Sequence, residues 1–265
     1  MNGIELGERM KKEFESKTRI FLPKKTYSII RVDGKNFSSY TRDLVKPFDL
    51  GFLINMKNTA LALCKEIQGS VIAYVQSDEI SILTCDFANK KSQVWFGGNI
   101  QKIASVAASI ASAEFNKSRI NRMWREPNVD LGLESLLNFA SFDARVFSLP
   151  LDTDVIDYFH WRKSDCIKNS ISMAASNFFS HKDLEGKSNN EKKSMLISAG
   201  CCWDNHLVAA RYGTVFVKRD RFRDVSFTKS NGKITIVKNA KRSVWLPKSA
   251  EHFSFASAIP KRGEV

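Results

Sequence analysis

Residues 70–87, SVIAYVQSDEISILTCDF, form a run of apolar and β-branched residues that a single polar tripeptide interrupts. This tripeptide is Ser77-Asp78-Glu79, and it has an apolar segment on each side. Two short apolar segments joined by a tight polar turn are typical of a β-hairpin whose strands are buried. The sequence therefore predicts two adjacent antiparallel strands with Asp78 in the turn between them.

The segments around this hairpin alternate between strand and helix patterns. Residues 27–33 are typical of a buried strand, and residues 49–68 repeat apolar side chains at near-helical spacing. A second helix is predicted over 97–117 and a further strand over 136–150. This order predicts an α+β fold with a ferredoxin-type βαββαβ core that has both helices on one face of its sheet.

The second half of the chain has a different pattern. A long helix is predicted over 154–181, a polar loop over 182–193, and strands rich in Lys and Arg over 211–262. We therefore expect a core over 1–150 and a helical and basic extension over 151–265 that packs on this core. One continuous domain is the alternative.

The chain carries a large excess of positive charge. It has 41 Lys and Arg against 28 Asp and Glu, a formal net charge of +13. Such a charge attracts polyanions, of which nucleic acid is the usual one in the cytoplasm. A membrane surface is the weaker alternative, because the sequence shows no basic amphipathic helix with an aromatic apolar face. A membrane span is not expected either, because no apolar run approaches the roughly 18 residues of a spanning helix. The N-terminus has no signal-peptide pattern and the five cysteines form no C-x-x-C pair, so we expect a cytoplasmic protein with reduced thiols.

Asp33 and Gly34 follow the first predicted strand directly, and the predicted fold places them beside Asp78 in the hairpin turn. An Asp-Gly pair is often only a turn signal, and Ser-Asp-Glu is often only a polar hairpin tip. The alternative is a metal site, because Mg²⁺ prefers carboxylate oxygens and is usually completed by water and phosphate. Two such ions promote phosphoryl transfer from a nucleoside triphosphate. Gly34 would let the backbone approach the phosphates, and successive amides from Lys35 to Ser38 could bind them.

Five segments form an ordered set of motifs across most of residues 27–218. They are RVDGKNFSSYT (31–41), KPFD (46–49), AYVQSDEISI (73–82), FDARVFSLP (142–150) and DYFHWRKSDCIKNSIS (157–172). In this order they resemble the motifs of tRNA-His guanylyltransferases and of their relatives, the guanylyltransferase-like 3′-to-5′ RNA polymerases that repair tRNA 5′ ends.

The resemblance implies a palm-like catalytic core, two Mg²⁺ ions, a homotetramer, and addition of nucleotides to the 5′ end of tRNA at its acceptor stem. ATP would activate the 5′ phosphate unless a triphosphate is already present, and the 3′ hydroxyl of an incoming nucleotide such as GTP would attack it. It also implies that Asp33 and Asp78 are catalytic carboxylates that bind metal together with the carbonyl of Gly34. The residues implied to line the bound triphosphate are Asp33, Gly34, Lys35, Asn36, Phe37, Ser38, Lys46, Ser77 and Asp78. A solvated side chain is the alternative for Lys46.

One motif departs from the guanylyltransferases that recognise tRNA-His. Where they have His-Ile-Asn-Asn-Leu-Tyr-Asn, this chain has IKNSISM over 167–173, without the His and the Tyr. The resemblance is therefore closer to members that copy a template strand. We expect template-dependent repair of tRNA 5′ ends, with non-templated addition of guanosine to tRNA-His as the alternative.

Seven other polar residues are candidates for contact with a second nucleotide or with RNA. Four of them recur at i, i+3 and i+4 spacing on the predicted long helix and could form one polar stripe, which is either a contact surface or a solvated face. One lies in the polar loop and two in the basic extension. These residues are Arg162, Asp165, Lys168, Asn169, Lys187, Lys241 and Arg242.

Two functions of other classes remain open. A nucleotide-cyclase-like signalling enzyme can use the same core and the same paired carboxylates, although such domains generally lack a basic extension. A non-catalytic RNA-binding module would use only the basic face of the protein. Turnover of nucleotides that depends on a divalent metal would exclude the binding module, and the products formed from GTP alone would identify a cyclase.

Overall fold

A computed structural model describes residues 3–87, 92–125, 138–228 and 230–262. The α-helices in these ranges are α1 (Gly3–Glu13), α2 (Phe37–Tyr40), α3 (Leu50–Glu66), α4 (Ile100–Arg125), α5 (Asp152–Ser176), α6 (His181–Leu184), α7 (Asn189–Ser198) and α8 (Val208–Tyr212). The strands are β1 (Tyr27–Gly34), β2 (Ser70–Gln76), β3 (Glu79–Cys85), β4 (Phe142–Leu149), β5 (Thr214–Thr228) and β6 (Ile234–Ser249). None of the helices in the described ranges is long and apolar enough to cross a membrane.

The six strands form one antiparallel sheet in the order β4-β1-β3-β2-β5-β6. β1 and β2 run in the same direction with β3 between them, because each of them pairs antiparallel with β3. α3 connects β1 to β2 and α4 connects β3 to β4, which gives the split βαβ arrangement of a ferredoxin-type fold. The predicted α+β fold with a βαββαβ core is therefore confirmed.

α3 and α4 lie on the same face of the sheet, as the order of the elements predicts. Val32, Val75 and Ile82 point to this face and belong to one buried cluster with Met56 of α3 and Phe115 of α4. Their burial removes large apolar side chains from water, which is the main favourable contribution to folding. This cluster holds the ends of β1, β2 and β3 in fixed relative positions.

The opposite face of the sheet is covered by α5. Ile29, Tyr74 and Leu83 alternate along their strands with the residues of the first face, and they belong to a second buried cluster with Val155 and Phe159 of α5. Both faces of the central strands are therefore buried. All seven residues of β3 and six of the seven residues of β2 are accordingly buried, as expected for strands that are covered on both faces.

β5 and β6 form a long hairpin that extends the sheet from β2. Val215 and Val217 are buried in the sheet core, whereas every residue from Lys218 to Asp224 is exposed. The strand-like character predicted for 211–262 is thus found in β5 and β6. Because β5 pairs with β2, the segments predicted as core (1–150) and extension (151–265) contribute to one sheet.

The prediction of a polar loop over 182–193 is wrong. Ser188 and Glu191 form a capping box, in which the Ser188 amide donates to the Glu191 carboxylate at 2.8 Å and the Glu191 amide donates to the Ser188 hydroxyl at 3.3 Å. This pair starts α7, and Ser180 and Asp183 start α6 in the same way. Polar capping residues make up so much of these short helices that the composition looks like that of a loop.

The boundaries of three other elements also differ from the predictions. The long helix runs from Asp152 to Ser176 and not over 154–181, and β4 starts at Phe142 although a strand was expected from 136; residues 136 and 137 lie outside the described ranges. The helix expected over 97–117 is α4, which starts later and ends later. It starts later because Phe96 and Gly97 have positive φ angles of 49° and 62°, which a right-handed helix cannot contain.

Candidate active site

The end of β1 and the turn between β2 and β3 meet at one edge of the sheet. Asp33 lies directly opposite Glu79 in the pairing of β1 with β3. The Gly34 amide donates a hydrogen bond to the carbonyl oxygen of Asp78 at 3.1 Å. The expected proximity of Asp33 and Asp78 is therefore found, and it follows from the register of two neighbouring strands.

The side chain of Asp78 is in an unfavourable position for a negative charge. Burial raises the pKa of Asp78 above its usual range, and the negative charges of Asp33 and Glu79 raise it further. Hydrogen bonds from its own backbone and from Ser77 lower the pKa but do not cancel the rise. Desolvated carboxylates close to one another are typical of functional sites, and a bound cation would relieve their repulsion.

Gly34 is required for packing. The ring of Phe37 folds back over it, and a Cβ atom at position 34 would overlap that ring. The Phe37 ring lies 6.0, 5.7 and 5.0 Å from the ring centres of Phe52, Phe115 and Phe142. Phe37 is therefore an aromatic core residue that anchors the loop after β1 to α3, α4 and β4.

We expect Gly34→Ala to lower the free energy of unfolding by about 1–3 kcal/mol, the usual cost of overpacking. Gly7→Ala is the matched control, because a Cβ atom at Gly7 in α1 meets no atom within 4 Å and Ala is the better helix former. Urea denaturation of both variants measures the difference. Equal stability of Gly34→Ala and the unaltered chain would contradict the overlap with Phe37.

The amides that follow Gly34 are only partly available to a phosphate. The Lys35 amide donates to the carbonyl oxygen of Ser141 at 2.8 Å, so it does not belong to the expected row of phosphate-binding amides. Asn36 adopts a left-handed conformation with φ of 56° and precedes α2. The amides of Phe37 and Ser38 are in the first turn of that helix, where no intrahelical carbonyl accepts from them. The candidates for phosphate binding are therefore the amides of 36–38.

A cavity of about 410 Å³ opens beside this edge of the sheet, within the size range of small-molecule sites. Its wall comes from α2, the segment 44–53, the β2–β3 turn, α5 and α8. The ammonium group of Lys46 is held there by the carbonyl oxygen of Thr41 at 2.6 Å. The predicted site residues that line this cavity are Phe37, Ser38, Lys46, Ser77, Asp78 and Asn169, whereas Asp33, Gly34, Lys35 and Asn36 lie outside its wall.

The polar stripe that the spacing predicts on α5 is only partly exposed. Arg162 is only 7% exposed, and its guanidinium donates to both carboxylate oxygens of Glu79 at 2.8 and 2.7 Å. It also donates to Asp165 at 3.0 Å, and Asp165 accepts from Asn169 at 3.4 Å. Lys168 is exposed. Arg162 is therefore a buried partner of Glu79 and not a member of an exposed stripe, because this side of α5 packs on the sheet.

Comparisons with known proteins identify the family. A sequence model described as tRNAHis guanylyltransferase matches residues 7–150, more than half of the chain. The chain belongs to this family. Members of the tRNA-His guanylyltransferase family are nucleotidyltransferases, so the predicted class of enzyme is confirmed.

Individual relatives match over most of the chain. A probable tRNA(His) guanylyltransferase of Dictyostelium discoideum is 30% identical over 78% of this chain and 82% of its own length. The structure of a bacterial tRNA(His) guanylyltransferase-like protein in complex with ATP is 37% identical, with a TM-score of 0.71 over 80% of this chain and 88% of that one. A structure of such a protein in complex with GTP is 33% identical, with a TM-score of 0.70 over 96% and 94%.

In this tRNA-His guanylyltransferase family member, four charged residues that were not predicted as site residues share the sheet face of Asp33: Arg31, Glu79, Asp143 and Arg145. Asp143 lies directly opposite Asp33, and Arg145 lies directly opposite Arg31. The guanidinium of Arg145 is 3.8 Å from the carboxylate of Asp33. The alternation of side chains along FDARVFSLP would have placed Asp143 and Arg145 on one face, but only the register to β1 shows that this face carries Asp33.

The donor atoms at this edge suit Mg²⁺. The carboxylates of Asp33 and Asp78 and the carbonyl group of Gly34 offer only oxygen, which this ion prefers. Among the described residues, no three or more side chains of His, Cys, Asp and Glu are grouped as a ready-made metal cage. Mg²⁺ does not require such a cage, because the ion usually keeps several waters and binds through one or two carboxylates together with substrate phosphates.

Three of the predicted contact residues lie away from this site. Lys187 is 3.8 Å from Glu191, next to the start of α7. Lys241 is paired with Asp220 at 2.8 Å in the β5–β6 hairpin, where Arg242 is its neighbour. None of the three lines the cavity, so any contact that they make with RNA is remote from Asp33 and Asp78.

Proposed function

We propose that this chain adds nucleotides to the 5′ end of tRNA in the 3′-to-5′ direction, uses two Mg²⁺ ions, and selects each nucleotide by pairing with a template strand. The observation that supports this most directly is the pair Asp33 and Asp78, brought together at the edge of the 410 Å³ cavity. The ATP and GTP complexes of the bacterial relatives support a nucleoside triphosphate as the ligand of this cavity.

The carboxylates of Asp33 and Asp78 and the carbonyl of Gly34 would hold the metal. When bound, two Mg²⁺ ions supply charge neutralisation at the phosphates and activation of the attacking hydroxyl. Lys46 reaches the same cavity and offers its ammonium group to the triphosphate. Burial, and to a smaller extent the charges of Asp33 and Glu79, raises the pKa of Asp78, and a bound cation would favour the charged form of this carboxylate.

The same arrangement supports activation of the RNA by ATP. In this proposal the 5′ phosphate of tRNA displaces pyrophosphate from ATP, and the 3′ hydroxyl of the incoming nucleotide then attacks the 5′ phosphorus and displaces AMP. A tRNA that already carries a 5′ triphosphate needs no ATP, because pyrophosphate is then the leaving group. Both steps are phosphoryl transfers that need charge neutralisation more than proton transfer.

The wall formed by α5 supports template dependence. In the motif IKNSISM (167–173), Ile167 packs against a buried cluster beside the cavity and the Ser172 hydroxyl accepts from the Lys192 ammonium at 3.1 Å. Met173 lines the cavity, and its thioether is only a weak acceptor with no donor for a base edge.

Two polar side chains of the motif, Asn169 and Ser170, also line the cavity. The Ser170 hydroxyl donates to the Ile167 carbonyl and accepts from the Trp203 indole. This leaves Asn169 as the side chain of this motif that offers hydrogen bonds to a base edge. Pairing with an opposing base can therefore select the nucleotide.

We expect the added nucleotide to follow the opposing base. A tRNA that lacks its first 5′ nucleotide is incubated with ATP, Mg²⁺ and each nucleoside triphosphate in turn, and the length of the 5′ end is measured. Changing the opposing base of the acceptor stem from C to A should switch the preferred addition from G to U. Mismatched nucleotides should be added at least about 10-fold more slowly, which corresponds to a difference of about 1.4 kcal/mol in the activation free energy.

A full-length tRNA with no missing nucleotide is the control and should not be extended. Addition of G whatever the opposing base, restricted to tRNA-His, would contradict template dependence and would favour the non-templated guanylyltransferase. Incubation with GTP alone tests the cyclase alternative, because a cyclic nucleotide would then form without any RNA.

Assembly as a homotetramer and location in the cytoplasm are further parts of the proposal, and both rest on the family resemblance. Light scattering of the purified chain measures its mass in solution. With 265 residues and 30.0 kDa per chain, a tetramer has a mass of about 120 kDa, and a monomer under the conditions of nucleotide addition would contradict this part of the proposal.

A further inference from the structure

The β5–β6 hairpin places its charged side chains on two faces that differ in composition. Arg219, Arg221 and Arg223 lie on one face because side chains alternate along a strand, and Arg242 joins them because it lies directly opposite Arg221. We call these four residues the arginine face. The adjacent Lys241 lies opposite Phe222 and therefore belongs to the other face.

The other face neutralises its own charges. Asp220 accepts from the Lys241 ammonium at 2.8 Å and from the Ser243 hydroxyl at 2.7 Å. These hydrogen bonds, the one from Lys241 first, lower the pKa of Asp220 below its usual range. Lys218 lies over the ring of Trp245 at 5.8 Å. The lysines of this face thus have partners within the hairpin.

The arginine face has no such compensation. All four of its arginines are exposed, and in the described ranges no carboxylate forms an ion pair with any of them. Arg221 and Arg242 are direct cross-strand partners, an arrangement of like charges that destabilises a hairpin. The arrangement is therefore unfavourable in the free protein and becomes favourable when an anion binds.

The hairpin extends away from the catalytic edge of the sheet. Thr214 of β5 pairs with Val75, next to the turn that carries Asp78, and Val217 pairs with Ile72, further along β2. The chain then continues beyond β2 toward the opposite end of the sheet. At about 3.3 Å per residue, the arginines of β5 lie roughly 17–30 Å along the strand from Thr214. They are too far from Asp78 to contact the reacting phosphate of an RNA bound there.

We infer that the arginine face is a docking surface for backbone phosphates of tRNA at a distance from the reacting 5′ end, and that Lys241 is not part of it. The inference rests on tRNA as the substrate in the proposed function. A planar guanidinium matches phosphate geometry with two parallel hydrogen bonds. Contacts to phosphate fix the position of a nucleic acid without reading its sequence, which suits a protein that takes its sequence information from a template base.

Two double variants with the same change of charge test this assignment. Arg221→Gln/Arg242→Gln removes two cations of the arginine face, and Lys218→Gln/Lys241→Gln removes two cations of the other face. The affinity of each full-length variant for tRNA is measured by fluorescence anisotropy at several salt concentrations, without nucleotide. Each phosphate contact contributes about 0.7–0.9 to the slope of log affinity against log salt concentration.

We expect the arginine variant to lose at least about 10-fold in affinity and to have a salt slope smaller by about 1.4–1.8, two phosphate contacts. The lysine variant should keep the slope of the unaltered chain. In nucleotide addition the loss should appear in KM for tRNA, with kcat within about twofold. Equal losses in both variants, or an unchanged slope in the arginine variant, would overturn the assignment.

A contact between subunits and a membrane surface give results that differ from those of an RNA contact. A change in assembly mass of the arginine variant with unchanged tRNA affinity would show that the face is a contact between subunits and would overturn the inference. Binding to vesicles of anionic lipid that exceeds binding to tRNA at equal salt would overturn it in favour of a membrane surface. Because the binding assay needs no catalysis, an arginine-dependent slope in a chain that adds no nucleotide would keep this inference and reject the proposed function.

Discussion

Asp78→Asn is expected to abolish nucleotide addition and at the same time to stabilise the metal-free protein. The rate should fall by on the order of 10³-fold or more, at least the loss that follows removal of one charge-stabilising group from an active site. Stability should rise because Asn cannot carry the charge that burial and the neighbouring Asp33 make unfavourable. A gain of about 1 kcal/mol corresponds to roughly 2–4 °C in Tm for a chain of this size.

The dependence of this gain on pH follows from the raised pKa of Asp78. The folded protein holds the Asp78 proton more tightly than the unfolded chain does, so the unaltered protein loses stability as the pH rises through the folded-state pKa. Asp78→Asn does not titrate at this position. The difference in Tm between the two proteins should therefore be largest near pH 7 and disappear as the pH falls toward the ordinary Asp value of about 3.9.

Mg²⁺ gives a second measurement that does not depend on activity. A ligand that binds only the folded state raises Tm, so Mg²⁺ should stabilise the unaltered chain and have a smaller effect on Asp78→Asn and Asp33→Asn. Asp157→Asn, an exposed position on α5, is the matched control and should respond to Mg²⁺ as the unaltered chain does. A folded Asp78→Asn variant with normal turnover would reject the site.

The arrangement of the candidate active site could be predicted because it depends on periodicity and topology. The apolar pattern of 70–87 specified a hairpin, and the order of strands and helices specified where its turn lies relative to the end of β1. These two inferences predict that Asp33 and Asp78 lie close together, and they need no assumption about the contacts of the side chains. The hydrogen bond from Gly34 to Asp78 is the local result of the register that they predict.

The environment of α5 could not be predicted in the same way. The spacing of Arg162 and Asp165 shows that they share one side of a helix, but it does not show whether that side faces water or the sheet. The answer depends on Glu79, which points to the second face of the sheet because it lies opposite Asp33. The buried carboxylate of Glu79 on β3 stabilises the buried guanidinium of Arg162 on the facing helix. These two residues are far apart in sequence, so the spacing along the helix does not reveal their pairing.

The hairpin shows a different limit. Lys241 and Arg242 are adjacent in sequence and were grouped as one basic site, although alternation along a strand puts adjacent residues on opposite faces. The grouping took charge alone into account. The structure adds Asp220, which neutralises Lys241 and not Arg242, so the net charge of a segment does not show which of its cations are available to a partner.

Arg162→Met is expected to lower the free energy of unfolding by about 3–5 kcal/mol, the cost of leaving one member of a buried ion pair without its partner. The side chains of Arg162 and Glu79 are only 9% and 8% exposed. The Glu79 carboxylate also accepts from Ser81 at 3.1 Å and from Gln76 at 3.4 Å. Two neutral donors do not compensate a buried negative charge, so the variant should unfold at a much lower urea concentration.

The double variant Glu79→Gln/Arg162→Met separates stability from positioning. It removes both charges of the pair and leaves an amide that keeps hydrogen bonds to Ser81 and Gln76, so most of the lost stability should return. The rate of nucleotide addition should not return with it and should stay about 10²-fold below that of the unaltered chain. The pair joins the turn that carries Asp78 to α5, and without this connection Asp78 is no longer held against Asp33, where small displacements reduce rates by about 10²-fold.

The measurement that distinguishes the two roles is the dependence of the rate on Mg²⁺ concentration. If the pair of Glu79 and Arg162 positions Asp78, the refolded double variant should need more Mg²⁺ for half-maximal activity, whereas KM for tRNA should change little. Arg162→Lys keeps the charge but loses the two-pronged contact, so it should recover stability and Mg²⁺ affinity only in part. A double variant with the stability, rate and Mg²⁺ dependence of the unaltered chain would show that the pair serves neither role, because a neutral pair then holds Asp78 equally well.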